Sequence, residues 1–243
     1  MRIEMNSKLS FFLFLFFSFS TSYSQNTTFQ LWLDYNQKNK LNEKWSIISD
    51  YGIRSDFNGW VRYHARAAAV FKPKKIVEYQ AGLALFYLTD FNSGNFLEIR
   101  PWQGVLISAP SFARFFVKNY FRLEERFNRD LNSASSNFVL KLRYKLILQV
   151  PINNTSIVAK TFYVPLSFEA FFNLAIEEQP INNDRYRFEL GLAYRITEKS
   201  NIPLLYTLQS VYFNENNYID FGEGFKSIDN IIRISFIQKF GAF

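Results

Sequence analysis

The chemistry most visible in this 243-residue chain is that of arginine and glutamate, because cysteine is absent and histidine occurs once. It has no Cys and one His, against 28 Lys+Arg and 21 Asp+Glu. That excludes disulfides, thiolate metal sites and Cys nucleophiles, and a lone imidazole does not build a zinc site. His64 stands between Arg62 and Arg66 at alternate positions. Guanidinium neighbours disfavour the imidazolium, so a neutral catalytic base paired with a serine from another strand is one reading, in an enzyme acting on lipid. No serine nucleophile motif stands out, and a hydrogen-bonded structural histidine is the other reading.

The larger constellation alternates. Arg114, Lys118, Arg122, Glu124 and Arg126 share one parity, opposite Phe115, Val117, Phe121 and Leu123. The same alternation carries Arg62, His64 and Arg66, then Glu98 and Arg100, Lys141 and Arg143, and Arg187 and Glu189. A period of two describes strands with one apolar face and one charged face. These fourteen residues form the candidate charge network, joined on the same faces by Arg54, Lys145, Arg195 and Arg233 and by Asp50, Glu78 and Glu169.

The elements that must position them read as strands at 29–37, 44–54, 60–71, 76–89, 95–107, 112–127, 137–151, 162–173, 185–196, 203–213 and 228–240. A content of 29 Phe and 14 Tyr suits strands. Several runs exceed ten residues, longer than ordinary soluble strands and long enough to cross a bilayer at a tilt. Aromatics at the ends of the apolar faces (Trp45, Tyr63, Tyr87, Phe138, Tyr186, Tyr212) match interfacial girdles. The expected fold is all-β, a transmembrane antiparallel up-and-down barrel of about 10–12 strands. Single-chain bacterial barrels use even numbers, so the count resolves either to 10, with 29–37 outside the wall, or to 12. Connections such as 72–75 and 109–110 are short, whereas 55–59, 90–94, 128–136, 174–184 and 214–227 are longer and polar. That alternation suggests periplasmic turns at one end and external loops at the other.

The N-terminus supplies a route. Arg2 and Lys8 precede the apolar run Leu9 to Phe19, and Ser22-Tyr23-Ser24 offers small residues for cleavage. Residues 1–24 therefore read as a secretory signal peptide for Sec-type export, and 25–243 as a single barrel domain in the bacterial outer membrane. The C-terminal strand ends in Phe240, with Phe243 last, and resembles the signature by which outer-membrane barrels are recognised. The expected partners are outer-membrane lipid and, through that strand, the barrel-assembly machinery. Nucleic acid is not expected despite a pI of about 9.4, because the charges are spread along alternating strands without a stacking platform. Gly222-Glu223-Gly224 is too short for a phosphate loop, and no cofactor is indicated.

Three segments carry a resemblance: Lys40 to Trp45 with Arg54 after it, Glu98-Ile99-Arg100-Pro101-Trp102-Gln103-Gly104, and Tyr120-Phe121-Arg122-Leu123-Glu124-Glu125-Arg126. Together they resemble the DUF2490 family, bacterial proteins of unknown function expected to be outer-membrane β-barrels. The resemblance implies architecture and location but brings no activity or site residues. Two functions suit a charged lumen: an interior held shut by ion pairs, or a narrow cation-lined channel for small anionic solutes. The rivals are the lipid-acting enzyme using His64 and a periplasmic lipid-binding barrel.

Overall fold

Alternation of apolar and polar side chains governs the whole computed structural model, which describes residues 26–175, 182–211 and 227–241. Eleven strands follow in order: β1 (Asn26–Lys40), β2 (Trp45–Ser55), β3 (Trp60–Lys74), β4 (Val77–Asp90), β5 (Gly94–Ser108), β6 (Phe116–Asp130), β7 (Ser136–Pro151), β8 (Thr161–Ala175), β9 (Asn182–Arg195), β10 (Ser200–Val211) and β11 (Ser227–Phe240). Each pairs antiparallel with its sequence neighbour, and β1 meets β11 to close the sheet. The signal-peptide reading, the loop around Gly222-Glu223-Gly224, Tyr212 and Phe243 lie outside the described residues.

The even strand count is corrected to eleven. Residues 29–37 belong to the wall, inside β1, and no twelfth strand occurs among the described residues. In an antiparallel meander of odd number the first and last strands run the same way, so the closing pair must be parallel. It is: Asn26 faces Ser227 and the register runs unbroken to Asn39 opposite Phe240. The barrel is therefore antiparallel except at this seam.

Closure leaves no free sheet edge, and the period of two sends alternate residues outward and inward. The outward set includes Leu33, Ile53, Tyr63, Leu83, Leu85, Phe188, Leu190, Leu192, Leu204 and Ile234, all exposed. Aromatic pairs stand on it, Trp45 on Phe71, Phe127 on Phe138, Phe168 on Tyr186, with ring centroids 4.8, 5.0 and 5.8 Å apart. The inward set is polar, with Glu124 at 0% and Glu169 at 1% exposure. An apolar cluster also faces inward: Ala68, Ala84, Phe86 and Trp102, with Ile48 and Tyr120 against it.

The expected contrast of short and long connections does not hold among the described residues. At one end, 56–59, 91–93 and 131–135 are compact, because Asp56, Asp90 and Asp130 each accept backbone N–H bonds from the residues just after them. The opposite end carries the longer 109–115 and 152–160. The first of these also corrects a strand boundary. Pro110 has no N–H to donate, and Phe112 and Phe115 bridge each other around Ala113 at φ 51°, so β6 begins only at Phe116.

Candidate functional site

Register determines which lumen groups meet. Glu169 on β8 lies beside Arg187 on β9, Arg187 beside Gln209 on β10, and Gln209 beside Asp229 on β11. The row is hydrogen-bonded throughout. Arg187 donates to Glu169 Oε2 at 3.2 Å and to Gln209 Oε1 at 2.5 and 3.1 Å, and Gln209 donates to Asp229 at 2.6 Å. Thr28 on β1 donates to the same Asp229 at 2.6 Å, and through Gln30 the chain reaches the Trp32 indole.

The other direction is more highly charged. Arg143 on β7 holds Glu169 through Nε and Nη2 at 3.0 and 2.5 Å and reaches Glu124 on β6 through Nη1. Glu124 is the hub. It also takes Arg126 at 2.5 Å, Arg100 at 3.1 Å and Arg122 at 3.1 Å. Arg100 on β5 holds Glu98, which takes Arg62 of β3 at 2.6 Å. A second line runs from Lys145 and Ser167 to Glu189, then Arg233 and Asp34, where the Arg233 to Asp34 distance is 2.5 Å. Polar partners thus follow one another around the inside of the wall, with β4 contributing Phe86 and β10 Gln209 where the other strands contribute charge.

His64 belongs to this second line. Its Nε2 is 3.1 Å from Asp50 and 3.4 Å from Asp34, with Arg66 on Asp50 at 2.6 Å. Gly52 makes the arrangement possible. It lies opposite both Asp34 and His64, and a Cβ there would collide with the Asp34 carboxylate and the imidazole. The ring is fully enclosed, stacked 5.6 Å from Phe86. It has two carboxylates for partners and, among the described residues, hydrogen-bonds to no serine.

Of the sequence-identified set, Arg62, His64, Arg66, Glu98, Arg100, Arg122, Glu124, Arg126, Lys141, Arg143, Arg187 and Glu189 all face the lumen. Lys118 lies nearer the end holding 109–115, beside Glu78, Lys38 and Lys72. Arg114 is the exception. It stands exposed on the 109–115 connection and reaches only the Ile152 carbonyl, at 3.4 Å, because β6 starts after it.

Sequence reasoning missed Asp34, Asp229 and Arg185. It also missed the aromatic plates on which the guanidinium groups lie. Arg122 covers Trp102 at 3.8 Å, Arg54 covers Trp32 at 4.0 Å, Arg62 and Arg100 cover Phe86 at 4.4 and 4.3 Å, and Arg143 and Arg187 cover Phe171 at 4.8 and 5.1 Å. Cation–π contact stabilises each cation and separates like charges. The signal was present: Trp32 shares parity with Asp34, and Phe171 with Glu169.

Between these groups lies a cavity of about 200 Å³. Among the described residues nine arginines and Lys145 line it, with Trp32, Phe86, Tyr120 and Phe171, and Glu169 is the one carboxylate in that lining. Such a space can attract and hold an anion. A family model described as "Protein of unknown function (DUF2490)" matches residues 29–220. No curated protein matches the chain.

Proposed function

Because the chain belongs to the DUF2490 family, whose description assigns no activity, we propose its function from the barrel itself: an outer-membrane β-barrel whose lumen is closed by ion pairs. The observation that carries this reading is the sidedness of the wall. Large apolar side chains cover the outside, while Glu124, Glu169, Arg100 and Glu189 are buried inside. Lipid solvates the first surface and would be an impossible neighbour for the second. A lipid carrier needs the reverse, an apolar interior and a polar exterior. A lipid-acting enzyme needs its base on the lipid face, whereas His64 is enclosed in the lumen.

The ion-pair chain around the wall and the apolar cluster of Ala68, Ala84, Phe86 and Trp102 favour a filled interior. A narrow channel for small anionic solutes is the second reading, favoured by the arginine-rich cavity lining. Detergent-dependent extraction and heat-modifiable migration on gels are expected of the purified chain; a protein soluble without detergent would overturn the proposal. In planar bilayers the closed lumen passes no steady current, and sustained anion-selective conductance would replace this reading with the channel.

A further inference from the structure

We propose that the lumen cavity binds a compact, multiply charged oxyanion of the phosphate class, with pyrophosphate as its simplest probe. The proposal rests on the lumen half of the reading above, the filled and ion-paired interior, and not on where the barrel resides.

The first argument is charge. Ten cationic side chains from β2, β3, β5, β6, β7, β9 and β11 converge on one small space, with Glu169 as the carboxylate in its lining. The belt's carboxylates are already committed: Glu124 serves four arginines, Glu98 three and Glu169 two. Enclosed cations without enough counter-charge are costly, and a bound anion relieves that cost.

The second argument is unused donors. Arg54 lines the cavity and makes no ion pair or hydrogen bond among the described residues; its guanidinium lies on Trp32, and its buried Nε has no acceptor. The buried Nε of Arg62, also in the lining, has none either. Guanidinium forks match the paired oxygens of a phosphoryl group, and donors arriving from several strands suit a tetrahedral centre better than a planar carboxylate.

The third argument limits the ligand. Phe86 is covered by two guanidinium groups, Phe171 by three and Trp32 by those of Arg54 and Arg187, so these rings are already occupied as stacking partners. The volume is also below that of pockets that enclose drug-sized molecules. The ligand is therefore small and densely charged, with no need of an aromatic ring. The apolar outer wall separates the cavity from lipid, which points to a free anion rather than a lipid headgroup.

Calorimetric titration of the full chain in detergent with inorganic pyrophosphate tests this, with sodium chloride of equal ionic strength as the control. Saturable binding at one site per barrel is expected. Arg54→Gln should weaken it about tenfold, the scale of one charge-assisted hydrogen-bonding group, and leave heat-modifiability intact because no carboxylate loses a hydrogen bond and the neighbouring Asp34 keeps Arg233. Arg114→Gln, on the exposed connection, should bind as the parent does. If Arg54→Gln does not fold, Arg54→Lys keeps the charge without the fork and should still weaken binding severalfold. No saturable heat, equal affinity in the Arg54 variants, or equal loss in Arg114→Gln would each overturn the proposal. So would binding to phosphatidic acid micelles without binding to pyrophosphate. Bilayer conductance is measured separately, so failure of the closed-lumen reading and failure of this site are distinguishable.

Discussion

Glu124 illustrates how a single side chain organises this interior. Its two oxygens hold Arg100, Arg122, Arg126 and Arg143, and none of its surface is exposed. A buried ion pair adds little net stability over an apolar substitute, but removing one partner leaves the others charged and uncompensated. Glu124→Gln should therefore cost about 3–5 kcal/mol, read as a lower urea midpoint of the heat-modifiable form. Glu98 also pairs with Arg100 and Arg126, and Glu169 with Arg143, so an unchanged midpoint would mean that these two carboxylates compensate the arginines without Glu124. Gly52 is the opposite case, a position where nothing may be added. Its missing Cβ leaves the space in which His64 approaches Asp34, beside the Leu33 carbonyl at 2.7 Å from where that atom would sit. Gly52→Ala should cost about 1–3 kcal/mol by overpacking, measured in the same unfolding assay.

At the scale of elements, the seam between β1 and β11 decides the size of the barrel. Leu33 and Ile234 face each other across it, both on the outer face. The chain has no Cys, so Leu33→Cys with Ile234→Cys creates one possible disulfide. Cα partners in adjacent strands lie within the separation that a disulfide spans. Oxidation should give a cross-linked species in high yield, seen as a mobility shift that reductant reverses. A ten-strand wall without β1 would leave the two thiols unpaired. The pattern of strands was legible in the sequence because side-chain parity is local: all eleven candidate segments became strands. Closure was not, because it depends on whether the two distant ends pair. The β6 boundary was also misplaced, since the parity of Arg114 matches that of Lys118 although the backbone between Phe112 and Phe115 turns back on itself.

At the scale of the whole molecule, the apolar exterior is the property with the largest consequence. Leu190, exposed midway along β9, should meet lipid in an embedded barrel. Leu190→Arg should then destabilise the folded state by about 2–4 kcal/mol near the midplane and lower the yield of heat-modifiable protein on refolding into vesicles. An Arg tolerated there without loss would argue against embedding. The sequence by itself determined the strands, their two faces and most of the charged set, because alternation needs nothing beyond neighbouring residues. It also carried the resemblance to the family whose model matches residues 29–220. Only the tertiary structure decided the eleven-strand parallel seam, the turning of Trp32, Phe86 and Phe171 into plates for arginine, and the convergence of ten cations on one cavity. Those depend on register and curvature, which bring residues from β1 and β11, far apart in sequence, to adjacent positions, and alternation within a strand carries no information about its neighbours.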